Sequence, residues 1–198
     1  MTMAQTGQAP DTEQAVLIIN ARLLPIDRPP IESGYLRAES GRITQIGAMA
    51  ELPALTEAQR AAAVDAGGGW LLPGFVDAHT HLGMWEDGLG FEGDDGNEDT
   101  DPATPHLRAE DAVNPLDRCF TEALAAGVTT VVTGPGSANP IGGQLCAMKT
   151  AGRRMEEMLL KAPVAMKMAL GENPKTVYHG KNQAPVTRMA TAAIIRDQ

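Results

Sequence analysis

The chain has 198 residues, 43% hydrophobic and 21% charged, with 16 Lys plus Arg against 25 Asp plus Glu and a formal charge of −9. That apolar content excludes a disordered acidic tail, and no heptad, collagen or longer repeat runs through it. A net-acidic chain without a Lys/Arg stripe has nothing with which to displace phosphate counterions, so no nucleic-acid partner is expected.

Residues 1–14 are polar, with no cationic segment leading into an apolar run, and are expected to be disordered and to hold no secretory signal. The longest apolar runs fall far short of the ~20 residues a membrane helix needs, so a cytoplasmic protein without a membrane partner is expected. Cys119 and Cys146 sit in apolar contexts outside any C-x-x-C pattern and read as reduced packing residues. From 15 to 72 the chain reads as short strands, over 15–20, 35–38, 42–46 and 70–72, punctuated by Ser33-Gly34 and Ser40-Gly41. One helix is expected over 56–63, with Thr56 as its N-cap. So small a β layer has few apolar residues for a core of its own.

After Pro73-Gly74 the pattern becomes strand, long loop, helix, strand, which is the order of βα units around a parallel sheet. A strand is expected over 75–78. Asn114-Pro115 predicts a helix start, with Leu116, Cys119, Phe120, Ala123 and Leu124 on one face and Gly127 as its left-handed close. The β-branched run 128–133 predicts a buried strand, and 163–170 a third one. Between them a helix is expected over 153–161, with Met155, Met158 and Leu159 inward. Val186, Met189, Ala190, Ala193 and Ile194 mark a last helical face, after which the chain stops at Gln198 with no capping turn. A sheet of three parallel strands followed by such a helix reads either as a fold cut short or as a natural C-terminal helix.

The sharpest motif is Asp77-Ala78-His79-Thr80-His81, at the end of the first strand of this second region. Alternation along a strand sends residues 77, 79 and 81 to one side, so two imidazoles and a carboxylate converge. Two histidines separated by one residue form a natural chelate for Zn²⁺ or a similar ion, with Asp77 available to hold a ring in its ligating tautomer. Fe²⁺, Mn²⁺ and Ni²⁺ accept the same ligands.

Pro73-Gly-Phe-Val-Asp-Ala-His-Thr-His81, with Asn20-Ala-Arg22, Gly41-Arg-Ile-x-x-Ile-Gly47 and Asp65-Ala-Gly67, resembles the amidohydrolase superfamily, and within it the imidazolonepropionase-like members. The resemblance covers the chain from about Ala15 onward. It implies an α/β fold: part of a (β/α)₈ barrel, its first three βα units over 73–198, carrying a small N-terminal β-sandwich portion over 15–72. It also implies a divalent metal, Zn²⁺ first, held by His79 and His81, and hydrolysis of a small-molecule amide or cyclic amide by metal-activated water. Some members of the family take a further ligand from a Glu after the third strand, which maps to Glu172; others use a carboxylated Lys from the fourth strand. Lys167 is a weaker bridging choice, because it falls within a strand. Glu172 reads either as that ligand or as an exposed residue in an Asn-Pro turn. The family's general-base Asp and its two later histidines have no counterpart in 198 residues, so the chain alone is expected to be inactive. Homo-oligomerisation of a full-length parent stays open. The competing reading is a non-catalytic metal-binding or interaction module.

Four further residues are substrate-contact choices: His106, Asn139, Gln144 and Lys175. His106 either lines a pocket or is a solvated loop histidine, and His179 reads as surface. Residues 134–144 read as an irregular loop, either at the mouth of the site or ordinary turn chemistry. The stretch 86–101 holds eight acidic residues and no basic one, and the rest of the chain is nearly neutral, 17 acidic against 16 basic. A calcium loop there is rejected, because Thr100 stands where the turn needs Gly and His106 where the bidentate Glu belongs. The stretch reads either as an acidic lid over the metal site or as a solvated loop.

Overall fold

The structure, a computed structural model, describes residues 15–198, so the disorder expected for 1–14 lies outside the described residues. It divides into two compact units, one ending at Pro73 and one beginning at Gly74. None of the described helices is long and apolar enough to cross a membrane.

In the first unit β1 (Val16–Leu23), β2 (Ile31–Glu39) and β3 (Arg42–Ala48) form an antiparallel meander. Its second turn is Ser40-Gly41 with φ of 50° and 72°, the positive pair that suits a two-residue hairpin because its twist matches that of the strands. Helix α1 (Glu57–Ala62) starts where the sequence places it: the Thr56 hydroxyl accepts the Gln59 N–H at 3.2 Å, and Gln59 Oε1 accepts the Thr56 N–H at 3.0 Å. Two short strands, β4 (Val64–Asp65) and β5 (Trp70–Leu71), then pair in parallel with β1. Both add to the edge of β1 rather than facing it, so the described residues of this unit make one five-stranded sheet. Ala21, Leu23 and Tyr35 are its buried side chains.

The second unit is mixed α/β. Its elements are β6 (Phe75–Thr80), α2 (Arg118–Ala125), β7 (Val128–Thr133), β8 (Ile141–Lys149), α3 (Met155–Met158), β9 (Leu159–Met168), α4 (Glu172–Gly180) and α5 (Arg188–Arg196). The sheet runs β6-β7-β8-β9, with β6 and β7 parallel and the other pairs antiparallel. Only β6-α2-β7 is therefore a βα crossover of the expected kind, and three successive units of a parallel barrel are not present.

The departure begins at β8: the sequence reads 134–144 as a loop and assigns no element to 145–149, whereas a strand spans Ile141–Lys149. β8 is buried almost end to end, so it lacks an alternating pattern, and Gly142-Gly143 resembles turn chemistry. Past β8 the chain has reversed, so β9 pairs antiparallel to it. The helix expected over 153–161 shrinks to the single turn of α3: Met158 is fully buried, but the chain extends from Leu159 and Pro163 bars a longer helix. Helix α2 also starts later than expected. Asn114 caps a preceding turn, its side chain accepting from Leu116 N–H at 3.0 Å, and Asp117 caps the helix by accepting from Cys119 N–H at 3.2 Å. Gly127 closes it at φ 86°, as its place in the sequence demands. In α5 the inward residue is Thr191, whose hydroxyl returns to Thr187 O at 3.2 Å, whereas Met189 is 78% exposed.

One apolar cluster holds this unit together: Met84, Ala109, Val113, Phe120, Val131, Cys146, Met148 and Met158. It joins α2, β7, β8 and α3 to the loops that leave β6. Phe120, 2% exposed, is its largest aromatic contribution. Phe120→Ala is expected to lower unfolding free energy by about 3–5 kcal/mol in urea titrations followed by circular dichroism.

Candidate metal centre

Strand β6 ends at Thr80, whose hydroxyl donates to Val132 O at 3.2 Å, while the Thr133 hydroxyl donates to Leu82 O at 2.9 Å. These two bonds tie the exit of β6 to the exit of its parallel neighbour β7. The motif histidines lie side by side there, with ring centroids 5.4 Å apart and an interplanar angle of 77°. His79 is exposed and His81 half-buried.

Each ring has a partner that bears on its tautomer. His81 Nδ1 lies 2.7 Å from Gly134 O. A carbonyl only accepts, so Nδ1 carries the proton and Nε2 keeps its lone pair. His79 Nε2 lies 3.2 Å from Lys167 Nζ. Lys167 is half-buried, and desolvation by burial pulls its ammonium below the usual lysine range. Asp77 does not contact either ring: its carboxylate accepts the His79 backbone N–H at 3.1 Å, so the tautomer control expected of it falls to Gly134. Trp85 packs edge-on against His81, with centroids 5.2 Å apart at 85°.

Over 168 residues, 79% of this chain, the sequence is 37% identical to amidohydrolase tasK of Hapsidospora irregularis, though that stretch is 17% of the relative. It is 42% identical to the imidazolonepropionase of Cupriavidus necator over 85 residues, 41% of this chain and 19% of that enzyme. An amidohydrolase of known structure from Thermotoga maritima MSB8 superimposes with a TM-score of 0.82 at 46% identity, covering 92% of this chain and 46% of that one. No model of a protein family matches. The chain belongs to the amidohydrolase superfamily. It spans just under half of the Thermotoga chain and less than a fifth of these curated relatives.

The other sequence-predicted residues have different places. Glu172 is the exposed first residue of α4, where its charge complements the helix N-terminus. Among the described residues no three His, Cys, Asp or Glu side chains stand close enough together to hold a metal, so Glu172 does not join the histidine pair. Asn139 is 2% exposed, with its bonding capacity taken up internally. Its amide donates to Glu98 O at 2.6 Å and to the Thr104 hydroxyl at 3.1 Å, and its oxygen accepts from Tyr178 at 2.7 Å. It is a structural hub and has no donor left for substrate. Gln144 donates to Pro105 O at 3.0 Å and so ties down the 104–108 segment. Lys175 is half-buried in α4, and His179 is exposed at the end of that helix.

The acidic stretch is anchored along its second half. Asn97 Oδ1 accepts from Ala138 N–H at 3.2 Å, and Lys181 pairs with Asp99 at 2.5 Å. It forms one wall of a cavity of about 560 Å³, to which Asp94, Asp95 and Glu98 contribute, with His106 and Arg108 on the opposing segment. Neither histidine of the pair lines the cavity, but three of its lining residues are neighbours of the residues around the pair. Met84 donates its N–H to His81 O at 3.1 Å, Pro135 follows Gly134, and Gly142 lies against the Lys167 side chain.

Trp85, Gly134 and the placement of Lys167 escaped the sequence reading. An aromatic just ahead of an acidic run and a glycine directly after a strand are the available signs. Both cysteines are free; desolvation pushes the Cys119 thiol up to about 12 and the Cys146 thiol up to about 11. Both are therefore protonated at pH 8 and poor nucleophiles. Iodoacetamide at that pH is expected to leave them unmodified in the folded chain by mass spectrometry and to alkylate both in urea.

Proposed function

We propose that this chain supplies two imidazole ligands to the metal centre of a hydrolase that acts on carbon–nitrogen bonds other than peptide bonds, in small amides or cyclic amides. The observation that carries the reading is the side-by-side pair His79 and His81 at the end of β6, with His81 held in the tautomer that leaves Nε2 free. Two imidazole nitrogens beside the Lys167 side chain fit a borderline divalent ion, Zn²⁺ first, with Fe²⁺, Mn²⁺ or Ni²⁺ sharing the ligand types. When bound, such an ion would lower the pKa of a water to about 7 and polarise the scissile carbonyl.

The chain's own residues prepare that site. Gly134 O orients His81 and raises its basicity as a ligand. Lys167 takes the third position, in place of the Glu172 expected from sequence. Its neutral amine adds to carbon dioxide, forming an N–C bond and releasing one proton, and the resulting carbamate offers an anionic oxygen beside His79. The cavity next to the pair receives the substrate, and its acidic wall favours one that carries positive charge. The free thiols fit a reducing, cytoplasmic setting.

Calorimetric titration of the 198-residue chain is expected to give one Zn²⁺ per chain, with binding weakened at least about tenfold by His79→Ala or His81→Ala. Bicarbonate is expected to tighten wild-type binding and not that of Lys167→Ala. The Zn²⁺-loaded chain alone is expected to leave hydantoin and dihydroorotate unhydrolysed, since among the described residues no third His, Cys, Asp or Glu side chain joins the pair. Unchanged binding in both histidine variants would dismiss the reading.

A further inference from the structure

A metal ligand needs its ring fixed in direction as well as in tautomer. The bond from His81 Nδ1 to Gly134 O sets the tautomer, but one hydrogen bond leaves the imidazole free to tilt about its own axis. The edge of Trp85, 5.2 Å away and nearly perpendicular, removes that freedom.

Trp85 is in turn seated by the acidic stretch. Residues on either side of the tryptophan pair with 93–95, where a 3₁₀ turn ends and Asp94 forms an isolated antiparallel bridge with Trp85: Glu86 N–H donates to Gly93 O at 2.9 Å and Asp95 N–H to Met84 O at 3.0 Å. This ladder lays the indole over Gly96, which is buried. A Cβ at Gly96 would overlap the indole ring, so the seat exists only because residue 96 is glycine. Gly96 O then accepts the Gly136 N–H at 2.8 Å, two residues beyond the carbonyl that holds His81. The contacts close a circuit: His81 to Gly134, along the loop to Gly136, across to Gly96, onto Trp85 and back to His81.

From this circuit we infer that Trp85, seated on Gly96, is a positioning residue for His81, and that the acidic stretch is a fixed support of the metal centre rather than a lid over it. The inference rests on the metal reading of His79 and His81. Outer contacts of this kind change metal affinity by about 10- to 100-fold when lost.

Zn²⁺ titrations of the full chain test it, with the His81 Nδ1–H proton followed by ¹⁵N-edited NMR in the metal-free chain. Trp85→Ala and Gly96→Ala are each expected to weaken Zn²⁺ binding about tenfold or more and to broaden the Nδ1–H signal. The double variant should lose no more than either alone, because both remove one contact. Trp85→Phe keeps a ring edge against His81 and should restore most of the affinity and the signal, so the Phe and Ala variants decide the matter even where Gly96→Ala fails to fold. Wild-type affinity and a sharp Nδ1–H signal in Trp85→Ala, with binding lost in His81→Ala, would overturn the inference and leave the metal reading intact. Wild-type affinity in His79→Ala and His81→Ala alike would remove both.

Discussion

The parallel pairing of β6 with β7 is the constraint on which the rest of the second unit depends. In a parallel pair both strands end at the same edge of the sheet, and the register here sets Thr80 opposite Thr133. The next residue of each strand is then His81 on one side and Gly134 on the other, and their hydrogen bond at 2.7 Å follows from the register. An antiparallel pairing would have sent these residues to opposite ends. The crossover that makes the pairing parallel is α2, and the apolar cluster around Phe120 and Val131 keeps that helix on the sheet. Core packing and site geometry are thus one problem: a helix lost from the sheet would also separate the carbonyl from the ring it orients.

Much of this was legible in the sequence where signals are local. Thr56 and Gln59 announce α1, Gly127 announces the end of α2, and the β-branched run 128–133 is β7. The placement of His79 and His81 at the end of a strand is likewise local, because strand alternation alone brings them to one side. What resisted reading depends on partners distant in sequence. β8 is buried on both faces by elements before and after it, so its own residues carry no alternation, and its glycines mimic a turn. Without β8, nothing shows that β9, which runs in the same direction as β7, is separated from it by an antiparallel strand. Lys167 reads as the weaker bridging choice because it falls within a strand, yet it meets His79 across 88 residues of chain. Asn139 looked like a free polar group in a loop, and its three partners come from three separate segments.

The acidic stretch 86–101 illustrates the same point at the level of function. By composition it is a charged loop, and charge alone suggests a mobile lid. Its backbone, however, is paired with itself near Trp85 and with the β7–β8 connection at Gly136, the Asn97 side chain accepts from Ala138 N–H, and its far end is held by Lys181. Backbone hydrogen bonds of this number hold a loop in one place, so its charge acts as a fixed wall of the cavity. The resulting site joins a rigid imidazole pair, a lysine beside it and an acidic cavity, in a chain that spans less than half of its structurally characterised amidohydrolase relative.

The central claim is that His79 and His81 together bind one divalent ion through nitrogen. X-ray absorption spectroscopy of the chain loaded with one equivalent of Zn²⁺ addresses it directly. The account predicts two imidazole scattering patterns per zinc, with first-shell nitrogen and oxygen at about 2.0–2.1 Å and no sulfur. A first shell of oxygen alone, or one containing sulfur from Cys119 or Cys146, would contradict it.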